Sequence, residues 1–451
     1  MPCCVEAPAA FEPKARYALR VLLAPLGLAP AWASRDELGT GALYYGPRPD
    51  GLPESVLALH LDPDTAAFFD GSDAYAAADA STVDGVPVLF PRCLSHRLTV
   101  PPSHRPDLIA SAFFWLAGWQ EATTRVRDEH GRFPYHASLQ AVLGCAAAPV
   151  VDLYRERLAE QLAAHGVPVC RWTRQGRPWA VALTHDVDLL RKRRLGTLAR
   201  AALRRDGQAG AAVRQAVFDP NPRKRSLERM AEAERRRGVG ATYFFKTAAR
   251  SPWDVPYPAY DPWLRRFIAD LGDGFEVGLH PSYFAHDHPG HLAEERSRLA
   301  ALAGAPPTAV RQHFLRWTEA TPRLHAAAGF RLDSTLGFAR QPGFRRGTCF
   351  PFPLFDLEAN APLDLWELPL AVMDTTLFAH LGLAPDAAEA AILGLFAACR
   401  RVGGVCVVLW HNTVYDEVDY PGQAAVFERT LDRALADGAA VLSLRDVLEG
   451  R

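Results

Sequence analysis

Beyond residue 178 the chain alternates short apolar runs with longer amphipathic stretches. The runs are WAVAL (179–183), ATYFF (241–245), FEVGL (275–279), AVRQHF (309–314), FRLDS (330–334), LWELPL (365–370), VCVVLW (405–410) and AAVLSL (439–444). Their length and their β-branched and aromatic residues predict strands. The intervening stretches SLERMAEAERRR, DPWLRRFIADLG, HLAEERSRLAALAG, TEATPRLHAAAG, APDAAEAAILGLFAACRR and GQAAVFERTLDRALADG repeat apolar positions at three and four, the helical period. Several end in Gly, the usual helix stop. Strands alternating with helices imply a parallel sheet, and seven or eight such units predict a closed or nearly closed, distorted (β/α)7–8 barrel.

Before Gly176–Pro178 the rhythm differs. VLALHL and VPVLF read as strands, DLIASAFFWLAGWQEATTRV and PVVDLYRERLAEQLAAHG as one-faced helices. We therefore expect two units, a smaller α/β domain over 1–177 and the barrel over 178–451. Within the first, DEHGRFPYHAS gathers charged and aromatic residues around Gly131 and reads as a structured connection between helices.

Composition narrows the function classes. The 451 residues are 49% hydrophobic and 22% charged with a formal net charge of −1, so no overall field favours nucleic acid as the partner. The charge is uneven: residues 191–237 hold 15 Lys and Arg against 5 Asp and Glu. Eight cysteines lie without a CxxC pair or regular spacing, which speaks against both a disulfide framework and a thiolate zinc site and for a reducing compartment. No apolar run is long enough to span a bilayer. RYALRVLLAPLGLAPAWA imitates a secretory signal, but Pro25 and Pro30 break it and Glu6 and Glu12 precede it, so a cytoplasmic location is expected.

The candidate chemistry lies at the carboxyl ends of the predicted strands, where parallel α/β barrels build their sites. His185, Asp186 and Asp188 end the first strand, His280 follows the third, Arg311 and His313 lie on the fourth, Asp333 on the fifth, Glu367 on the sixth, and Trp410 and His411 close the seventh. Two imidazoles and a carboxylate suit a borderline divalent cation such as zinc, with one position left for water. A further carboxylate can take a proton from that water, and an imidazole can give one to a leaving group. That set can hydrolyse an amide or ester.

The order LTHDVD, EVGLHPSY, VRQHFLRW, LDSTLGF, VVLWHN resembles the five motifs of the polysaccharide deacetylase (NodB-like, carbohydrate esterase family 4) superfamily, in the branch whose first motif reads HDVD. The resemblance covers roughly 178–447, and the preceding region is similar to an accessory α/β domain of that branch. It implies a metal-dependent hydrolase that removes acetyl groups from an N-acetylated sugar in a glycan or glycan precursor. It further implies Asp186 as general base, Asp188 and His280 as metal ligands, Arg311 as the residue orienting the base and His411 as general acid. Two other readings stand beside it: a related metal-dependent amidase acting on a small amide, and a catalytically silent glycan-binding protein of the same fold.

The sequence departs from the family where the second motif usually supplies a second histidine; HPSYF has none. His313 in the third motif is a replacement, with His286 and His288 in FAHDHPG as competitors. We expect Asp188, His280 and His313 to hold Zn²⁺, because Arg311 and His313, two apart on a strand, would face the same side. His185, Asp333, Glu367 and Trp410 are candidate substrate contacts, and Trp317, Phe338 and Trp366 are further aromatic faces beside motif residues. Finally, the basic, Leu/Ala-spaced segment 189–205 has the pattern of a helix on an anionic membrane surface, alongside the plainer reading of an outer barrel helix. Oligomeric state is left open.

Overall fold

A computed structural model describes residues 1–450 apart from 49, 72–73, 84, 91–105, 193–208 and 220. Most of the basic segment 189–205 therefore lies outside the described residues. Among the described residues no helix is long and apolar enough to cross a membrane.

The first 177 residues hold a four-stranded parallel sheet of β1 (Pro2–Val5), β2 (Ala31–Trp32), β3 (Leu43–Gly46) and β4 (Leu57–His60) in the order β2-β1-β3-β4. A small hairpin, β5 (Ser81–Val83) and β6 (Val86–Val88), lies beside it, and the longest helices of this part run over Glu12–Leu23, Leu108–Ala117 and Val150–Ala164.

The second sheet has ten strands: β7 (Trp179–Val187), β8 (Ala241–Phe245), β9 (Phe275–Leu279), β10 (Ala309–Val310), β11 (Leu332–Asp333), β12 (Phe352–Asp356), β13 (Ala361–Glu367), β14 (Leu370–Met373), β15 (Val405–Leu409) and β16 (Ala439–Leu442). The order β12-β13-β11-β10-β9-β8-β7-β15-β14 is parallel except for the β12/β13 hairpin, and it curls into an open half-barrel. All nine residues of β7 are buried, because it pairs with β15 on one side and successively with β16 and β8 on the other.

Strand parity divides the apolar residues into two layers. Ala180, Ala182, Phe244, Ala309, Leu332, Val407 and Leu409 fill the inside of the curl. Trp179, Val181, Leu183, Tyr243, Leu279, Val310 and Val408 face the helices, and their core runs on into Leu19, Phe113 and Tyr154 of the N-terminal part. The inside is tight: a Cβ on Gly278 would stand 2.5 Å from the Phe244 ring.

The strands expected at AVRQHF and FRLDS shrink to two residues each. Strand β12 was not anticipated, since Pro351 and Pro353 interrupt its pattern, and it lies where proline is tolerated, at a sheet edge. The N-terminal part covers that edge: Tyr17 Oη donates to the Pro353 carbonyl at 2.8 Å, and Phe113 meets Phe355 edge-on.

Candidate metal centre and active site

The carboxyl ends of β7, β9 and β15 meet in a cavity of about 410 Å³ that also takes in the turn after β10. Asp186 and Asp188, two apart, both point into it. Arg311 reaches Asp186 Oδ1 with Nη1 at 3.3 Å and is itself pinned by Thr184 Oγ1 and by both the carbonyl and the hydroxyl of Ser334, all at 2.7–2.8 Å. Its guanidinium also lies 4.7 Å from the Phe244 ring centroid. A fully buried guanidinium thus faces a buried carboxylate and fixes its orientation.

His280 directly follows β9. Its Nδ1 donates to the Arg311 carbonyl at 2.6 Å, so Nε2 carries the lone pair and points to Asp188 Oδ1 at 3.4 Å and Asp186 Oδ2 at 3.6 Å. His313 has the same logic: Nδ1 lies 3.0 Å from Asp254 Oδ1 and Nε2 3.7 Å from Asp188 Oδ1. One ligand atom each from Asp188, His280 and His313 lies within 4.8 Å of the others.

These residues fit a divalent cation. Asp188 Oδ1 is buried with no hydrogen-bond partner, an orphan that needs a charge opposite it. Separations of 3.4 and 3.7 Å are long for hydrogen bonds, yet close to the ~3.3 Å between neighbouring donors on a tetrahedral zinc with bonds of about 2.0–2.1 Å. Burial lowers the His280 pKa to about 4, keeping its lone pair free near neutrality. Asp188 sits well below the usual carboxylate range: burial opposes this, but the imidazoles of His313 and His280 outweigh it.

His411 stands across the cavity with Nε2 3.7 Å from Asp188 Oδ2. Its Nδ1 lies 2.6 Å from Asp374 Oδ1, and its backbone N–H donates to Asp374 Oδ2 at 2.8 Å. Burial works against the charged imidazole, but the Asp374 carboxylate, helped by Asp188 and Asp186, raises its pKa to about 10. The sequence reading missed Asp374, although it immediately follows β14, the kind of position that singled out the other candidates. It also missed Asp254 and its partner Lys246, 3.2 Å apart. Lys246 ends a strand as well, whereas Asp254 lies in a loop with no pattern to mark it.

Four candidate substrate contacts point the other way. Through the paired registers, Asp186, Phe244, Gly278, Ala309, Leu332 and Trp366 share one row, while Val187, Phe245, Leu279, Val310, Asp333 and Glu367 share the next, of opposite parity. Asp333 and Glu367 therefore face the helix layer. Asp333 Oδ2 meets His325 Nδ1 at 2.5 Å and its Oδ1 accepts from Thr335; Glu367 accepts the Leu336 N–H. His185, one residue before Asp186, is likewise turned outward, with Nε2 2.7 Å from Glu234 Oε1 and Nδ1 2.9 Å from the Trp410 carbonyl. Trp410 packs edge-on against Phe427 of the helix Gln423–Ala436. None of the four lines the cavity.

Of the competing histidines, His286 is buried with Nδ1 3.5 Å from Asp287 Oδ1, and His288 caps the helix Pro289–Ala303; neither belongs to the ligand cluster. The expectation that His313 rides on a strand needs correction. Strand β10 ends at Val310, and His313 opens a short turn, His313–Leu315, whose next two residues have positive φ. Trp317 and Phe338 are largely buried and do not line the cavity. Its apolar wall comes instead from Leu189, Trp253, Phe314, Phe378 and Leu409.

Residues 9–166 match a family of unknown function, DUF7033. No curated protein matches the chain. Among solved structures, the chain is similar to a Mycobacterium smegmatis protein assigned as a polysaccharide deacetylase, with 23% identity over 62% of this chain and 92% of that one and a TM-score of 0.43. A family 4 carbohydrate esterase from Streptomyces lividans, solved in complex with acetate, shares 16% identity over 59% of this chain and 92% of its own, with a TM-score of 0.31. A CE4-family pseudoenzyme from Bacillus anthracis shares 11% identity over 62% and 68%, with a TM-score of 0.30.

Proposed function

We propose that the chain is a divalent-metal-dependent deacetylase of the polysaccharide deacetylase superfamily, in the HDVD branch, acting on an N-acetylated amino sugar in a glycan or glycan precursor. In this reading residues 178–451 form the catalytic unit and 1–177 the accessory domain. The observation that carries it is the unpartnered, buried Asp188 Oδ1 facing two imidazole nitrogens, with the Asp186 carboxylate and the His411 imidazole in the same cavity.

Asp188, His280 and His313 would hold the cation, most suitably Zn²⁺, which when bound supplies an acidified water and polarises the acetyl carbonyl. Asp186, aimed by Arg311, takes the proton of the attacking water. His411, kept protonated by Asp374, gives a proton to the departing amine. Base and acid line the same cavity as Asp188, as a hydrolysis that takes one proton and delivers another requires.

The test is acetate release by the full chain, loaded with Zn²⁺ and after chelation, from N-acetylated amino sugars and oligosaccharides and from small linear and cyclic amides. Metal-dependent release from the sugars alone supports the reading. Turnover of the small amides instead moves the chain to the amidase reading, and metal binding without release from any substrate leaves it a silent relative.

A further inference from the structure

The turn carrying His313 is held in an unfavourable backbone conformation. Phe314 and Leu315 have φ values of 59° and 54°, two of four non-glycine residues in the left-handed region among the described residues. Neither is an Asn or Asp, which tolerate that region best, and two in succession persist only where the surroundings impose them.

What imposes them comes from the other half of the chain. Residues 128–132, in the loop around Gly131, form a turn closed on itself. The Asp128 N–H donates to the Arg132 carbonyl at 2.9 Å, and Asp128 Oδ1 accepts the N–H groups of His130 and Arg132 at 2.9 Å each. Asp128 Oδ2 then takes Arg132 Nε at 2.8 Å, which fixes the guanidinium so that Nη1 donates to the Phe314 carbonyl at 2.8 Å. Contacts return in the opposite direction. Arg316 Nε donates to the His130 carbonyl at 2.9 Å and Nη1 to the Tyr283 carbonyl at 3.0 Å, with the guanidinium over the Tyr283 ring. The His130 ring packs 4.6 Å from the Phe314 ring, and its Nδ1 lies 3.0 Å from Tyr283 Oη. His313 is thus bracketed at the next residue's carbonyl and at the side chain three positions on.

We propose that the turn 128–132 is a positioning element of the metal site: Arg132, with His130, holds the strained segment 313–316 so that His313 Nε2 faces Asp188. The N-terminal part then completes a site whose ligands all lie in the barrel. The chemical meaning rests on the metal-binding reading above, whereas the clasp on the backbone can be measured without it. Released from the clasp, the turn relaxes toward ordinary backbone angles and carries the imidazole out of line, and loss of such a supporting contact typically lowers metal affinity about 10- to 100-fold.

The experiment uses the full chain and the variants Arg132→Ala, Arg132→Lys and His130→Ala. Arg127→Ala is the control, because Arg127 sits in the same loop but bonds only carbonyls of its own segment and, at 3.5 Å, the exposed Glu319. Amide hydrogen exchange of residues 313–317 is followed in metal-free protein, and Zn²⁺ affinity by competition with a chromogenic chelator. Arg132→Ala is expected to speed exchange in that segment and to weaken Zn²⁺ at least about tenfold, Arg132→Lys to recover most of both, and Arg127→Ala to change neither. Wild-type exchange and affinity in Arg132→Ala overturn the proposal, as does an equal loss in Arg127→Ala, which would mark general loosening of the junction. If Arg132→Ala does not fold, the same exchange in His130→Ala decides: faster exchange at 313–317 supports the clasp and unchanged protection overturns it. Failure of the wild-type chain to bind Zn²⁺ defeats the deacetylase reading instead, and the exchange data still decide this one.

Discussion

Both oxygens of Asp374 are committed to His411, Oδ1 to the ring Nδ1 at 2.6 Å and Oδ2 to the backbone N–H at 2.8 Å. The carboxylate therefore fixes the ring's tautomer and orientation and also stabilises its charged form. A general acid works only while protonated, so activity should fall as pH rises through the His411 pKa. Asp374→Asn removes the charge that raises that pKa. The alkaline limb of the kcat profile should move to lower pH, and kcat at pH 8 should drop by about tenfold or more. A cation bound to Asp188 shifts wild type and variant alike, so the difference between them reads Asp374. An alkaline limb unmoved by the substitution would remove His411 from the acid's role.

The two aspartates of HDVD separate by what they touch. Asp186 is engaged by Arg311, while Asp188 offers a free oxygen to His280 and His313. Asp186→Asn should keep wild-type Zn²⁺ content and lose about two to four orders of magnitude in kcat. Asp188→Asn should come off the column without metal. Metal analysis beside single-turnover rates checks both, and equal metal content with near-normal rates in the two variants would sink the assignment.

His313→Ala and His286→Ala discriminate between the candidates for the third ligand. His313 Nε2 faces Asp188, whereas His286 Nδ1 lies 3.5 Å from Asp287 Oδ1 and outside the ligand cluster. Zn²⁺ content and activity should fall together in His313→Ala and stay at wild-type levels in His286→Ala. The reverse outcome transfers the ligand role to His286.

Which parts were legible follows from where the chain is regular. Strands β7, β8 and β15 are continuous buried runs and β9 is half-buried at Phe275 and Val277, and the polar residues that end or follow these runs mark the site's rim, so Asp186, Asp188, His280 and His411 could be read as neighbours. The misplacement of His185, Asp333, Glu367 and Trp410 has a single cause: they were grouped by closeness to a strand end, without asking which side of the sheet each faces. Parity places them with the helices. His313 was named correctly as a neighbour of Asp188 but for the wrong geometric reason, since a strained turn and not a strand presents it. That turn depends on Arg132 and His130, some 180 residues earlier, and local pattern cannot reveal a contact of that range. Asp254 escaped because it supports His313 from a loop without a pattern, and Asp374 because Leu370–Met373 before it was not read as a strand of its own.

A last prediction lies away from the site. Asp107 caps the helix Leu108–Ala117 through the Ala110 N–H at 2.9 Å and accepts a hydrogen bond from Tyr45 Oη at 2.8 Å. Burial outweighs these bonds and pushes its pKa up to about 7. With the folded value above the unfolded one, near 3.9, the native state favours the protonated form. Its stabilisation is full below about pH 4 and is lost as pH rises through 7. Asp107→Asn preserves an acceptor for Ala110 and a donor for Tyr45 Oη but does not titrate. Relative to wild type, the variant should therefore gain stability as pH rises from 5 to 8, by roughly 1–3 kcal/mol, while other groups cancel in the difference. Urea unfolding of both proteins at the two pH values measures this, and a pH-independent difference would show that Asp107 is ionised throughout.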